Sequence, residues 1–61
     1  MKKIKELREM LNMTQQELAE KMSVSQGAIA MWETGKDLPI TDKLPLLAKA
    51  LNCEISDLFE K

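Results

Sequence analysis

The stretch SQGAIAMWETGK, residues 25–36, carries the side chains best suited to recognising another molecule. The amide of Gln26 can pair bidentately with the edge of an adenine, and Ala30 or Met31 can contact a thymine methyl group. On a helix through this stretch, Ile29 and Trp32 would face the core. The opposite, uncharged side would carry Gly27, Ala30, Met31 and Thr34. This slim face predicts a recognition helix for a DNA major groove; the competing interpretation is an ordinary helix packed against the rest of the fold.

Residues for catalysis or metal binding are scarce. The chain has no histidine and one cysteine, Cys53, so it lacks the residues for an internal disulfide or a cysteine–histidine metal site. We find no glycine-rich phosphate loop and no paired carboxylates in a plausible cleft. We therefore expect no enzymatic activity, no catalytic residues, no cofactor and no metal. Cys53 is interpreted as a small buried apolar side chain.

Charge is distributed unevenly along the 61 residues, although the net charge is only −1. Basic residues lie near the start (Lys2, Lys3, Lys5 and Arg8) and acidic ones near the end (Glu54, Asp57 and Glu60). The negative sum argues mildly against a nucleic-acid partner, but the local field matters more than the sum. No apolar run could span a bilayer, and the basic start lacks the apolar middle of a signal peptide. We expect no membrane partner and a cytoplasmic location.

Hydrophobic periodicity predicts an all-α fold with five helices. The first spans roughly Lys2 to Leu11, with an apolar stripe of Ile4, Leu7 and Leu11. The second begins at Thr14, where TQQE has the spacing of a capping box. Ser25 caps the third helix, which covers about 26–34 and ends at Gly35.

The last two predicted helices follow a loop. Thr41 or Asp42 is expected to cap the fourth, and Ser56 to cap a short fifth. Ile55 and Leu58 are expected to close the bottom of the core. Helices two and three are separated by about three residues, the spacing of a helix-turn-helix.

The sequence resembles the lambda-type repressor and Cro proteins, the XRE family of helix-turn-helix regulators. IKELREMLNMTQQELAEKMSVSQGAIAMWETGKDLP follows the first part of the family pattern, and LPLLAKALNCEISDLF follows its fourth and fifth helices. TQQELA ahead of WETGK at this distance is the most specific signal. The resemblance implies that residues 1–61 form one compact five-helix domain that binds operator DNA.

The resemblance also assigns roles to individual residues. Gln15 matches a glutamine that holds a DNA phosphate and buttresses a base-reading glutamine. Arg8 and Glu33 match a buried structural ion pair between helices one and three. The two helix caps, Thr14 and Ser25, are further DNA contacts. Gln26, Gly27 and Met31 match base-reading positions, and Thr34 and Lys36 match phosphate contacts after the recognition helix.

The sequence departs from the family pattern at three places. Ser23 occupies the turn position where glycine is usual, and a left-handed serine there costs about 1 kcal/mol. Gly27 has no side chain where relatives often contact a base. The loop KDLP carries a single lysine, Lys36, which predicts fewer phosphate contacts and a shallower dependence of binding on salt.

Two functions remain open from the sequence. The first is sequence-specific binding to double-stranded operator DNA by a weak homodimer, with recognition helices one DNA turn apart on a two-fold site. Phe59 is the candidate dimer contact, although the acidic Asp57 and Glu60 beside it would repel across a symmetric interface. The alternative is a protein-interaction module, antitoxin-like or antirepressor-like, that keeps the fold without strong DNA binding.

Overall fold

The computed structural model describes residues 1–59 and contains four α-helices and two 3-10 helices within that range. The α-helices are α1 (Lys2–Met10), α2 (Gln15–Met22), α3 (Gln26–Thr34) and α4 (Leu44–Ala50). The 3-10 helices cover Thr41–Lys43 and Ile55–Leu58. Glu60, whose charge enters the dimer hypothesis, lies outside the described residues. The prediction of an all-α chain agrees with these elements, since no strand occurs among residues 1–59.

The prediction of five helices is wrong, because the last segment is a single 3-10 turn. Glu54 and Asp57 form a capping box around it, in which the Glu54 amide donates to the Asp57 carboxylate at 3.0 Å. Phe59 is already extended, so the segment has no room for bonds between residues four apart. Glu54 rather than Ser56 therefore precedes the turn as its cap.

The start of α4 also differs from the prediction. Neither Thr41 nor Asp42 is a cap, because both lie inside the 3-10 turn that leads into α4. Lys43 precedes α4 with helical backbone angles and makes no side-chain capping bond. Pro45 lies in the first turn of α4, where the missing amide hydrogen costs least.

The bounds of α2 and α3 are set by side chains that satisfy their first backbone amides. Thr14 Oγ1 accepts from the Glu17 amide at 3.0 Å, and Glu17 Oε1 accepts from the Thr14 amide at 2.8 Å. Ser25 Oγ accepts from the Ala28 amide at 3.1 Å. Between the helices, Ser23 is left-handed with φ 58°, the conformation that the family resemblance implied for this turn position. This conformation ends α2 and redirects the chain into α3.

The core lies between the four α-helices and the last turn: α2 packs against α3 and α4, α1 packs against α3, and the last turn packs against α4 and α1. Its fully buried large side chains come from the four α-helices, the residue that follows α4 and the last 3-10 turn: Ile4, Leu18, Met22, Ile29, Leu47, Leu51 and Leu58. Ala19 is buried on α2, which packs against α3. Ile55 is 42% exposed, so the prediction that it closes the core is wrong; Leu58 alone does so from the last turn. Within residues 1–59, no helix has the length and apolarity to cross a membrane.

Candidate nucleic-acid interface

Helix α3 buries one side and leaves the other open. Ile29 and Trp32 enter the core, whereas Gln26, Gly27 and Met31 are exposed. The helix contains one charged residue, Glu33, whose side chain is only 3% exposed. The accessible face of α3 is therefore uncharged, and small side chains near its start leave the backbone approachable.

Glu33 is held inside by Arg8. Arg8 Nε donates to Glu33 Oε2 at 2.7 Å, and Arg8 Nη2 donates to Glu33 Oε1 at 3.2 Å. Arg8 Nη1 also donates to the carbonyl oxygen of Met13 at 2.7 Å. One guanidinium thus joins α1, α3 and the segment that enters α2. The two-pronged geometry is the one in which arginine pairs most strongly with a carboxylate.

The contact between Arg8 and Glu33 shifts the pKa values of both groups. Burial would raise the pKa of Glu33, but hydrogen bonds from Arg8 and Gln15 and the charge of Arg8 outweigh it and hold the pKa below its ordinary value. The hydrogen bond to Glu33 raises the pKa of Arg8 further above its ordinary value. Both groups are therefore charged at neutral pH, and Glu33 acts only as a hydrogen-bond acceptor.

Two glutamines extend the contact to the surface. Gln15 Nε2 donates to Glu33 Oε1 at 3.0 Å, and Gln26 Nε2 donates to Gln15 Oε1 at 3.3 Å. The structure thus places Arg8, Glu33, Gln15 and Gln26 in one hydrogen-bonded chain. The link between Gln15 and Glu33 was missed from the sequence, because nothing in the residue pattern shows which side chains face each other across the angle between α2 and α3.

The two helix caps, Thr14 and Ser25, lie next to Gln15 and Gln26 along the sequence and are on the surface. Thr14 and Ser25 each accept a backbone hydrogen bond through the hydroxyl oxygen, and each is exposed. Hydrogen bonding with Thr14, chiefly with its backbone amide, lowers the pKa of Glu17, so a carboxylate charge lies at the start of α2. That charge reduces the positive potential that the α2 dipole creates at this terminus.

The end of α3 holds the last candidate residues. The Thr34 hydroxyl donates to the Ala30 carbonyl at 3.0 Å, so its single hydrogen is used inside the helix. A phosphate contact from Thr34 would require its hydroxyl hydrogen to leave the Ala30 carbonyl. Gly35 ends the helix with φ 84°, and Lys36 follows on the exposed loop. The Met1 ammonium donates to the Trp32 carbonyl near the same helix end.

The arrangement of α2, a three-residue turn and α3 with an exposed outer face defines a helix-turn-helix protein. The chain belongs to this family: the family described as Helix-turn-helix matches residues 4–58. The resemblance to XRE-type regulators seen in the sequence is thereby confirmed.

Two relatives are similar over nearly the whole chain. The HTH-type transcriptional activator BcrR of Enterococcus faecalis is 39% identical over 57 residues, which cover 93% of this chain and 28% of that protein. An uncharacterized HTH-type transcriptional regulator of Archaeoglobus fulgidus is also 39% identical over 57 residues, covering 93% of this chain and 80% of the relative. The chain thus spans under a third of the activator's length. No solved structure gives a significant match to the chain.

Proposed function

We propose that this chain binds operator DNA sequence-specifically as a transcriptional regulator, with α3 in the major groove. The observation that carries the proposal is the uncharged outer face of α3, with Gln26 held at its N-terminal tip by Gln15. An α-helix fits the major groove, where each base pair shows a distinct pattern of donors and acceptors. The two relatives are named as transcriptional regulators, which supports the same function.

The candidate residues have distinct roles in this proposal. Gln26 would pair with an adenine, and Met31 would contact a thymine methyl group. Gln15 and Lys36 would hold phosphates on either side of the helix. Thr14 and Ser25 would add hydroxyl contacts from the two helix caps, and Thr34 would contribute only by giving up its hydrogen bond to Ala30. Phosphate contacts set the register of the helix, and base contacts set the sequence preference.

Selection of bound sequences from a random duplex pool tests the proposal. The selected duplex and a scrambled one are then compared in mobility-shift titrations at about 50 and 200 mM salt. We expect an enriched two-fold sequence, tighter binding to it, and weaker binding at the higher salt. A chain that enriches no sequence and shows no salt-sensitive shift would instead support the protein-interaction module.

Lys36→Ala is expected to weaken binding to selected and scrambled duplexes alike. Removing one phosphate contact should make the salt slope shallower by about one unit. Titrations at several salt concentrations measure both quantities. Lys49→Ala, which removes the same charge from α4, is the matched control and should leave the slope unchanged. A weakening confined to one sequence would contradict a phosphate contact by Lys36.

Gly27→Ala is expected to stabilise the folded chain and weaken DNA binding. A Cβ at Gly27 would meet only Ser25 Oγ at 3.8 Å, an ordinary contact. Alanine in a helix is favoured over glycine by about 0.5 to 1 kcal/mol. The added methyl group would hold the α3 backbone away from the groove. Thermal unfolding and DNA titration of the same samples measure the two effects.

Gly35→Ala is the control for Gly27→Ala. The backbone of Gly35 is left-handed, so alanine at this position should lower the melting temperature. DNA binding by Gly27→Ala that equals the parent's would show that the backbone does not approach the groove at this residue.

Phe59→Ser is expected to leave the monomer folded and abolish cooperative binding to a two-fold site. Phe59 is 54% exposed and follows the buried Leu58, so its ring contributes little to the core. An exposed aromatic side chain is a common anchor in protein interfaces. Titration of a two-fold and a single half-site duplex measures the cooperativity. Leu46→Ser, at another exposed apolar residue on α4, is the control; unchanged cooperativity in Phe59→Ser would exclude Phe59 from the interface.

A further inference from the structure

In the hydrogen-bonded chain from Gln26 through Gln15 to Glu33, every N–H donor points toward Glu33. The Glu33 carboxylate can only accept, so Gln15 must turn its Nε2 toward Glu33, as it does at 3.0 Å. The carbonyl end of the Gln15 amide then faces Gln26. Gln26 must in turn donate through Nε2, which lies 3.3 Å from Gln15 Oε1. A buried charge thus determines which way two surface amides are oriented.

The orientation of the Gln26 amide determines which hydrogen-bonding groups it presents to a base. One N–H of Gln26 is used by Gln15, so the amide retains one N–H and its carbonyl oxygen for a ligand. One donor beside one acceptor matches adenine, which shows the N7 acceptor and the N6 donor in the major groove. Guanine shows two acceptors, N7 and O6, and is best matched by two donors.

We propose that Glu33 is a specificity-positioning residue, which acts through Gln15 to hold Gln26 in the orientation that selects adenine over guanine. Glu33 itself does not reach the ligand, since its side chain is 3% exposed. The inference rests on the proposed DNA-binding function and adds the residue that sets its base preference.

The reverse orientation explains why Glu33 is needed. With both amides turned over, Gln15 Nε2 would donate to Gln26 Oε1, and Gln26 would keep both N–H groups for a base. That arrangement matches guanine. With its nitrogen facing Gln26, the Gln15 amide would also place its carbonyl oxygen against the carboxylate of Glu33. Repulsion between these two acceptors excludes the reverse orientation as long as Glu33 is charged.

Glu33→Gln tests the proposal, because a neutral amide of the same shape can donate or accept and so permits both orientations. The selected duplex is compared with one in which the pair read by Gln26 is changed from A·T to G·C. That pair is identified as the base pair at which the parent has a sequence preference and Gln26→Ala has none. We expect the adenine-over-guanine ratio of Glu33→Gln to fall by about tenfold, with preferences at other pairs unchanged.

Gln15→Met is a second variant that leaves the Arg8–Glu33 ion pair in place, so the test does not depend on the stability of Glu33→Gln. It removes the link between Glu33 and Gln26. Methionine also cannot hold the phosphate assigned to Gln15, which lowers binding to both duplexes equally and cancels in the ratio. The same fall in the adenine-over-guanine ratio is expected.

The outcomes distinguish failure of this inference from failure of the proposed function. A uniform drop in affinity at an unchanged ratio in both variants would show a merely structural role for Glu33 and overturn this inference, while DNA binding through Gln26 would stand. A preference for guanine in the parent chain at the pair read by Gln26 would also overturn it. If the parent shows no preference at any base pair, the proposed function itself fails.

Discussion

Arg8→Met should destabilise the folded chain by about 3 to 5 kcal/mol at neutral pH. Methionine keeps the unbranched stem out to about the position of Nε but removes the guanidinium that donates twice to Glu33. The Glu33 carboxylate would stay buried with Gln15 as its remaining partner. An unpaired buried charge costs far more than the ion pair contributes.

The response to pH should reverse in this variant. In the parent the pKa of Glu33 is lowered by folding, so the stabilisation is present above the unfolded pKa and is lost as pH falls through the folded pKa. Without Arg8, burial dominates and raises the pKa of Glu33 above its unfolded value. Acidification from about pH 7 to pH 5 should then stabilise Arg8→Met, because protonation removes the buried charge.

Urea unfolding at several pH values measures both effects, with a surface ion pair as the control. Lys3 and Glu6 lie 3.7 Å apart with exposed side chains, so Glu6→Ala should change the stability by less than about 1 kcal/mol. If Arg8→Met does not fold at neutral pH, Arg8→Met with Glu33→Met should restore folding, because an apolar pair leaves no bare charge. A fully stable Arg8→Met at neutral pH would contradict the prediction.

Gln26→Ala should weaken binding to the selected duplex by about 1 to 3 kcal/mol and remove the preference at one base pair. Alanine keeps α3 helical but offers neither donor nor acceptor to the groove. Binding to a scrambled duplex should change little, since Gln26→Ala leaves the phosphate contacts proposed for Lys36 and Gln15 in place. Competition titrations against duplexes with single base-pair changes give the affinity and the preference together.

Gln16→Ala is the matched control for that experiment. Gln16 lies next to Gln15 on α2, but its amide donates to Glu20 at 3.3 Å. Its replacement should leave the base preference intact even if the overall affinity shifts. Retention of both affinity and preference by Gln26→Ala would show that this residue does not read a base.

The helical layout could be predicted from the sequence wherever local signals were strong. The TQQE capping box, Ser25 and Gly35 set the bounds of α2 and α3 through bonds between residues a few positions apart. The local signal was misleading after α4. Ser56 looks like a cap, but Glu54 and Asp57 close a single 3-10 turn there. A single turn has too few bonds for its propensity to predict the type of helix.

The sequence alone predicts the four α-helices, the turn between α2 and α3, and most of the apolar residues that each helix buries, although Leu11 from the stripe of the first helix is 42% exposed. These follow from periodicity and capping, which act between near neighbours in the chain. The link from Glu33 through Gln15 to Gln26, and the exposure of Ile55, were decided only by the tertiary structure. Hydrogen bonds between α2 and α3 depend on the angle at which the helices cross, and that angle is set by packing of the whole core.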